Sequence, residues 1–157
     1  MCIAHESRCK CGRETVSFHF KDNILPEQTV KNLYCPRCSP DVRVDHDVMV
    51  VDNGWVIEYD MDIVGFSGQK LGSGPITPAF VFDSGYCTWN GIYPGDHRDS
   101  VKERERITAL AKADPALYLR EMKTWATERL ERLRREGWRK ADEGESLEGE
   151  REKPLQC

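Results

Sequence analysis

Four cysteines in two close pairs are the residues of this chain best suited to chemistry. One residue separates Cys9 from Cys11, and two residues separate Cys35 from Cys38. Cysteines paired in this way are typical metal ligands, and a tetrahedral ion takes four of them. The spacing therefore predicts one metal site with Cys9, Cys11, Cys35 and Cys38 as its ligands.

The residues beside the cysteines favour tight turns around a metal. Gly12 follows the first pair and permits a positive φ, while Pro36 fixes the backbone after Cys35. With these two pairs, residues 9–38 resemble zinc-ribbon and rubredoxin-type knuckle proteins over about a fifth of the chain. The resemblance implies a β-rich module in which each of the four cysteines is a metal ligand.

The first pair, Cys-x-Cys, is one residue shorter than the usual Cys-x-x-Cys, and this favours zinc over iron. Zinc has no d-electron preference for one geometry and tolerates a distorted turn, whereas an iron site depends on the hydrogen bonds of two full knuckles. Four protein thiolates leave no open position for water or substrate, so the site is predicted to be structural. Iron stays open as the alternative metal.

Two further pairs of Cys and His residues are weaker candidates for a functional role. Cys2 and His5 precede the first pair, but one tetrahedral ion needs only four ligands, so both are expected to lie in a frayed terminus. Cys87 and His97 resemble a catalytic pair only by residue type, and single matches of this kind are common. No catalytic group is therefore assigned, and a non-enzymatic role is favoured.

Glu58, Asp60 and Asp62 alternate along the chain and would share one face if a strand continued through them. Clustered carboxylates can bind a hard divalent cation, but no glycine-containing calcium-loop spacing is present. A solvated strand face is the favoured interpretation.

Composition limits the class of protein. The 157 residues suffice for one domain, or for a small domain with a helical extension, and the net charge is −4. Residues 1–98 carry 9 Lys and Arg against 13 Asp and Glu, which makes nucleic acid an unfavoured partner. No secretion signal or membrane-spanning run is evident, so we expect a cytoplasmic protein, where seven cysteines do not form a disulfide framework.

The hydrophobic pattern predicts strands first and helices later. Residues 14–20 alternate as a strand, and the Asn53-Gly54 turn predicts a hairpin over residues 48–59. Residues 25–33 fit either a helical turn or a return strand over 29–34. Val42 and Val44 should begin a strand, and residues 79–82 should form another.

The C-terminal part of the chain is predicted to form two helices. The first should begin at Asp99 or Ser100, and the second should run over residues 115–136 with Gly137 ending it. The fold is thus α+β, with a zinc-ribbon-like unit joined to a small antiparallel sheet and followed by a helical hairpin. The expected segments are 1–40, 41–98, 99–140 and a disordered charged tail, 141–157.

A closed metal site without catalytic groups predicts a structural zinc protein that acts as an interaction adaptor or accessory subunit. The partner would be another protein, and the C-terminal helix could join two copies of the chain. Two alternatives remain: a rubredoxin-like iron protein that transfers electrons, and a zinc ribbon that binds nucleic acid, although the acidic N-terminal part disfavours the latter.

Overall fold

A computed structural model describes residues 3–142, and these form an α+β fold, as the sequence predicts. The strands are β1 (Ile3–Arg8), β2 (Thr15–Phe20), β3 (Val30–Tyr34), β4 (Met49–Asp52), β5 (Trp55–Tyr59) and β6 (Thr88–Trp89). The α-helices are α1 (Met61–Phe66), α2 (Pro78–Asp83), α3 (Asp96–Thr108), α4 (Pro115–Glu136) and α5 (Arg139–Asp142). Short 3-10 helices join several of these elements.

The strands form two antiparallel sheets of three strands each, ordered β1-β2-β6 and β3-β5-β4. Residues 1–40 supply β1 and β2 to the first sheet and β3 to the second. Residues 41–98 supply β4 and β5 to the second sheet and β6 to the first. The predicted segments therefore share both sheets, and their boundaries stay a prediction.

The β4–β5 hairpin is confirmed, and its turn explains its position. Asn53 and Gly54 have φ values of 44° and 85°, which is the positive-φ pair that a two-residue hairpin turn needs. Asp52 pairs with Trp55 directly across the turn. Residues of this turn contact the second cysteine turn and the segment that follows α4, as shown below.

The alternating segment before the second cysteine pair is also confirmed as a strand. Val16, Phe18 and Phe20 of β2 point into the core and are buried. Of the two alternatives for residues 25–33, a single 3-10 turn over Glu27–Thr29 comes first, and strand β3 then carries the chain to Cys35.

Three local predictions were wrong. The terminus before Cys9 is not frayed between residues 3 and 8, because β1 pairs with the whole of β2. Residues 79–82 form most of helix α2 rather than a strand, since Thr77 accepts a hydrogen bond from the Phe80 amide and Pro78 occupies the first helical turn. Val42 and Val44 lie outside any regular element.

Trp89 occupies the centre of the core between the two sheets. Its ring centroid lies 5.1 Å from that of Phe18, 5.6 Å from that of Trp55 and 5.7 Å from that of Phe82. The side chain is fully buried, and aromatic contacts in such tilted or edge-on arrangements add to the area that each ring buries. The aromatic segment around residue 89 therefore supplies the central side chain of the core.

The C-terminal helical region is confirmed, with one change at its start. Helix α3 begins at Asp96, ahead of the predicted Asp99 or Ser100. Helix α4 spans the predicted residues, with the Asp114 carboxylate accepting a hydrogen bond from the Leu117 amide and Gly137 in a left-handed conformation. The rest of the fold covers the apolar side chains of α4 only in part, because Leu133 is buried whereas Leu119 is 66% exposed.

Helix α5 corrects the predicted start of the tail. Residues 141 and 142 belong to this helix, and Ala141 is fully buried. The rest of the predicted tail, residues 143–157, lies outside the described residues.

Candidate metal centre

The first cysteine pair lies in the turn that joins β1 to β2. The Cys9 amide donates a hydrogen bond to the Glu14 carbonyl over 2.8 Å, and the Gly12 amide donates to the Cys9 carbonyl over 2.8 Å. Gly12 has a φ of 74°, which the sequence anticipates from the need for a tight turn after Cys11. The turn holds both cysteines at one end of the first sheet.

The second cysteine pair follows β3 at the edge of the second sheet. The amides of Cys38 and Ser39 both donate to the Cys35 carbonyl, at 3.0 and 2.9 Å, and so close a tight turn. The Lys10 amide donates to the Leu33 carbonyl over 2.8 Å and brings the two turns together. A main-chain bridge between the sheets therefore adjoins the four thiols.

The four sulfur atoms form one cluster. All of them lie within 4.8 Å of one another. The sulfur–sulfur distances are 3.3 Å for Cys9–Cys38, 3.4 Å for Cys9–Cys11, 3.6 Å for Cys11–Cys35 and 3.7 Å for Cys35–Cys38. Four sulfurs around one zinc ion stand about 3.8 Å apart, given a Zn–S bond of about 2.3 Å and tetrahedral angles. The donor set thus fits one thiophilic ion with small adjustments.

The four thiols differ in exposure. Cys9 and Cys35 are buried, Cys38 is half-buried and Cys11 is exposed. The Cys35 amide donates to the Cys9 sulfur over 3.0 Å, which is the type of N–H contact that stabilises a thiolate in metal knuckles. The cluster therefore has an inner side held by backbone donors and an outer side open to solvent.

Burial raises the pKa of Cys9 and Cys35, whereas hydrogen bonds from backbone N–H groups lower it. Burial raises the pKa of Cys9 to about 12, against the opposing effect of two backbone amides. Burial acts in the same direction on Cys35, but the N–H groups of Cys38 and Arg37 together with neighbouring thiols outweigh it and lower its pKa to about 7. Burial raises the pKa of Cys38. A metal ion that binds all four as thiolates must displace protons, so binding weakens in acid.

Within residues 3–142, no other group of three or more His, Cys, Asp or Glu side chains is placed to hold a metal ion. His5 instead contacts Glu27, with 3.0 Å between Nδ1 and Oε2, and its ring packs edge-on against Phe20. Cys2 lies outside the described residues. The five described cysteines are all free thiols.

The carboxylates at residues 58, 60 and 62 do not share a strand face, because β5 ends at Tyr59. Glu58 accepts a hydrogen bond from Asn32 over 2.7 Å. Asp60 caps helix α1 by accepting from the Asp62 and Ile63 amides at 3.1 and 3.2 Å. The three acids therefore do not form a group placed to bind a metal ion.

Cys87 is a core residue. Its side chain is fully buried, its carbonyl accepts a 2.6 Å hydrogen bond from the Tyr59 hydroxyl, and burial raises the pKa of its thiol. His97 is exposed on α3. A buried thiol with a raised pKa is a poor nucleophile, so the pair has no catalytic arrangement.

Sequence reasoning missed two buried carboxylates that organise the C-terminal part. Asp52 accepts hydrogen bonds from Trp89 Nε1 over 2.6 Å and from the Arg139 amide over 2.9 Å. Asp96 accepts from the Ile92 amide over 2.8 Å and forms an ion pair with Arg129 of α4. Trp89 and Arg139 lie 37 and 87 residues from Asp52, and Arg129 lies 33 residues from Asp96, so no local pattern could have identified these side-chain partners.

Within residues 3–142, no helix combines the length and the apolar character needed to cross a membrane. Comparison of the chain with protein-family models, with curated proteins and with solved structures finds no match. The functional feature that the structure itself provides is a cluster of four cysteines that could bind a metal ion.

Proposed function

We propose that this protein binds one zinc ion through Cys9, Cys11, Cys35 and Cys38, and that the ion stabilises the fold rather than taking part in a reaction. The observation that carries the proposal is the approach of all four sulfur atoms to within 4.8 Å of one another. Four thiolates complete the coordination of zinc and exclude substrate from it. The ion would supply folding free energy at the junction of the two sheets.

The four cysteines favour zinc over iron because the two turns that carry them differ in length. The first turn is a Cys-x-Cys loop, and only the second has the length of a full knuckle. Zinc accepts such asymmetry, and its contribution to the folding of small zinc modules is about 10–16 kcal/mol. A loss of that size would leave the cysteine-bearing turns without their main restraint.

Metal analysis of the purified full-length chain tests this proposal. We expect close to one zinc per chain, no visible absorption, and loss of the metal in the Cys35→Ser variant. Cys87→Ser is the matched control, since this buried thiol lies outside the cluster, and it should retain the metal. Less than about one tenth of an equivalent of any metal would refute the proposal, and an iron-loaded coloured protein would replace zinc by iron.

We further propose that the metal-stabilised fold serves as an adaptor or accessory subunit that binds another protein. The support is a closed site together with an apolar side chain presented to solvent: Phe66, at the end of α1, is 92% exposed. Exposed aromatic side chains are favoured anchors in protein interfaces.

A partner captured by the wild-type chain should be lost with Phe66→Ser at unchanged zinc content and thermal stability. Leu119→Ser, which changes another exposed apolar side chain on α4, is the comparison. Equal recovery of the partner by Phe66→Ser and wild type would contradict a role for this surface.

A further inference from the structure

The turn of the β4–β5 hairpin lies between the second cysteine pair and the C-terminal helices. It consists of Asp52, Asn53 and Gly54, and we call it the bridging turn. On one side it contacts residues of the cysteine turn, and on the other it contacts residues 136–139.

On the cysteine side, the contacts are made by residues next to the proposed ligands. The Ser39 hydroxyl donates a 2.6 Å hydrogen bond to the Gly54 carbonyl. The Ser39 amide at the same time donates to the Cys35 carbonyl over 2.9 Å. Pro36 lies so close to Gly54 that a Cβ atom added to the glycine would stand 3.4 Å from the proline Cβ. The position of the bridging turn thus depends on the conformation of residues 35–39.

On the helix side, the contacts fix the segment where α4 ends and α5 begins. Asp52 accepts the 2.9 Å hydrogen bond from the Arg139 amide. The side-chain amide of Asn53 takes the orientation in which both of its polar atoms have partners. Its nitrogen donates to the Glu136 carbonyl over 3.2 Å, and its oxygen accepts from Trp138 Nε1 over 3.3 Å. Trp138 in turn packs on Tyr93, with 5.4 Å between ring centroids.

From these contacts we infer that metal binding at the four cysteines controls how firmly the C-terminal helices dock on the sheets. The metal fixes residues 35–39, these hold the bridging turn, and the turn holds residues 136–139. This regulation rests on the proposed metal site. Loss of the metal loosens the docking of α5 and of the end of α4, and local opening of this kind is observable as faster amide exchange.

Hydrogen–deuterium exchange of the full-length chain, zinc-loaded and after removal of zinc by a chelator, tests the inference. Removal of zinc should accelerate exchange in residues 35–39 and in residues 136–141, with the Arg139 amide as the direct reporter. Residues 116–124 of α4 are an internal reference, because even residue 124 lies about three helical turns from residue 136. A zinc-dependent change confined to the cysteine turns would overturn the inference.

A variant that keeps the ligands separates this effect from general unfolding. Ser39→Ala removes the hydroxyl bond to Gly54 and leaves all four cysteines in place. In the zinc-loaded protein it should accelerate exchange of the Arg139 amide about fivefold, which corresponds to one neutral hydrogen bond of about 1 kcal/mol. Ser100→Ala breaks a comparable 3.3 Å serine-to-carbonyl bond inside α3 and should leave that amide unchanged.

The outcomes distinguish the two proposals. A chain that binds no metal contradicts the proposed function. If the chain binds zinc normally and the Arg139 amide of Ser39→Ala exchanges at the wild-type rate, as it should in the Ser100→Ala control, the metal site stands and the coupling is refuted.

Discussion

Replacement of Asp96 by alanine should strongly destabilise the protein, because it leaves a buried arginine without its counter-charge. The Asp96 side chain is 9% exposed and that of its partner, Arg129, is 13% exposed. Asp96 also accepts the 2.8 Å hydrogen bond from the Ile92 amide. Alanine therefore removes the counter-charge of a buried guanidinium and the acceptor of a backbone amide at once.

The expected size follows from these two losses. An ion left without its partner in a buried site costs about 3–5 kcal/mol. Arg129 has little compensation, because its Nε atom is already buried without a hydrogen-bond partner. Its guanidinium carbon also lies 5.5 Å from the centre of the Trp125 ring, a contact that contributes about 1 kcal/mol. We expect a loss of about 4 kcal/mol, or a fall in Tm of about 10 °C.

Urea denaturation of the zinc-loaded chain, followed by circular dichroism, measures this loss. The double variant Asp96→Ala/Arg129→Met should recover at least about 1 kcal/mol of it, since an apolar side chain of similar length replaces the unpaired charge. A single variant that loses less than about 1 kcal/mol would refute the reasoning, because it would mean that water or another side chain satisfies Arg129.

Three further changes test local parts of the structure under the same conditions. Asp60→Ala removes the cap of α1 and should cost about 0.5–2 kcal/mol, and a neutral result would mean that the cap does not limit stability. Gly54→Ala places a side chain at a φ of 85° against Pro36 and should cost about 1–2 kcal/mol; equal stability would indicate that the turn relaxes. Phe66→Ser should change stability by no more than about 0.5 kcal/mol, since the ring is 92% exposed, and a larger loss would show that the ring is packed.

The elements that the sequence predicts well are those whose ends or turns carry residues with a specific backbone role. Helix α4 begins after an aspartate cap and a proline and ends at Gly137, and its predicted and observed bounds agree. The β4–β5 hairpin is specified by Asn53 and Gly54 at its centre. The closeness of the four thiols was likewise anticipated from two short spacings and a chain segment long enough to return.

The errors arise where a short apolar run was assigned without its flanking residues. Four apolar residues at 79–82 fit a buried strand or a helix equally well, and the deciding signal was the Thr77-Pro78 cap. Asp60 fits a row of three alternating carboxylates, but its position before residues 61–66 also marks a helix start. The predicted strand at Val42 and Val44 had no partner pattern to support it.

The bonds that join distant parts of the chain could not be predicted at all. Asp52 lies 37 residues from Trp89 and 87 residues from Arg139 in sequence, and only the packing of the two sheets and α5 brings them together. An isolated buried aspartate has no periodic signature, and its partner can be any donor in the chain. Tertiary packing alone therefore decides which acids enter the core.

The two cysteine turns belong to different sheets, since Cys9 and Cys11 lie between β1 and β2 whereas Cys35 and Cys38 follow β3. An ion bound among them would act as a spacer whose radius sets the gap between the two layers at that end. A larger thiophilic ion would require longer metal–sulfur bonds, and it would therefore move the two turns, and the ends of the sheets attached to them, further apart.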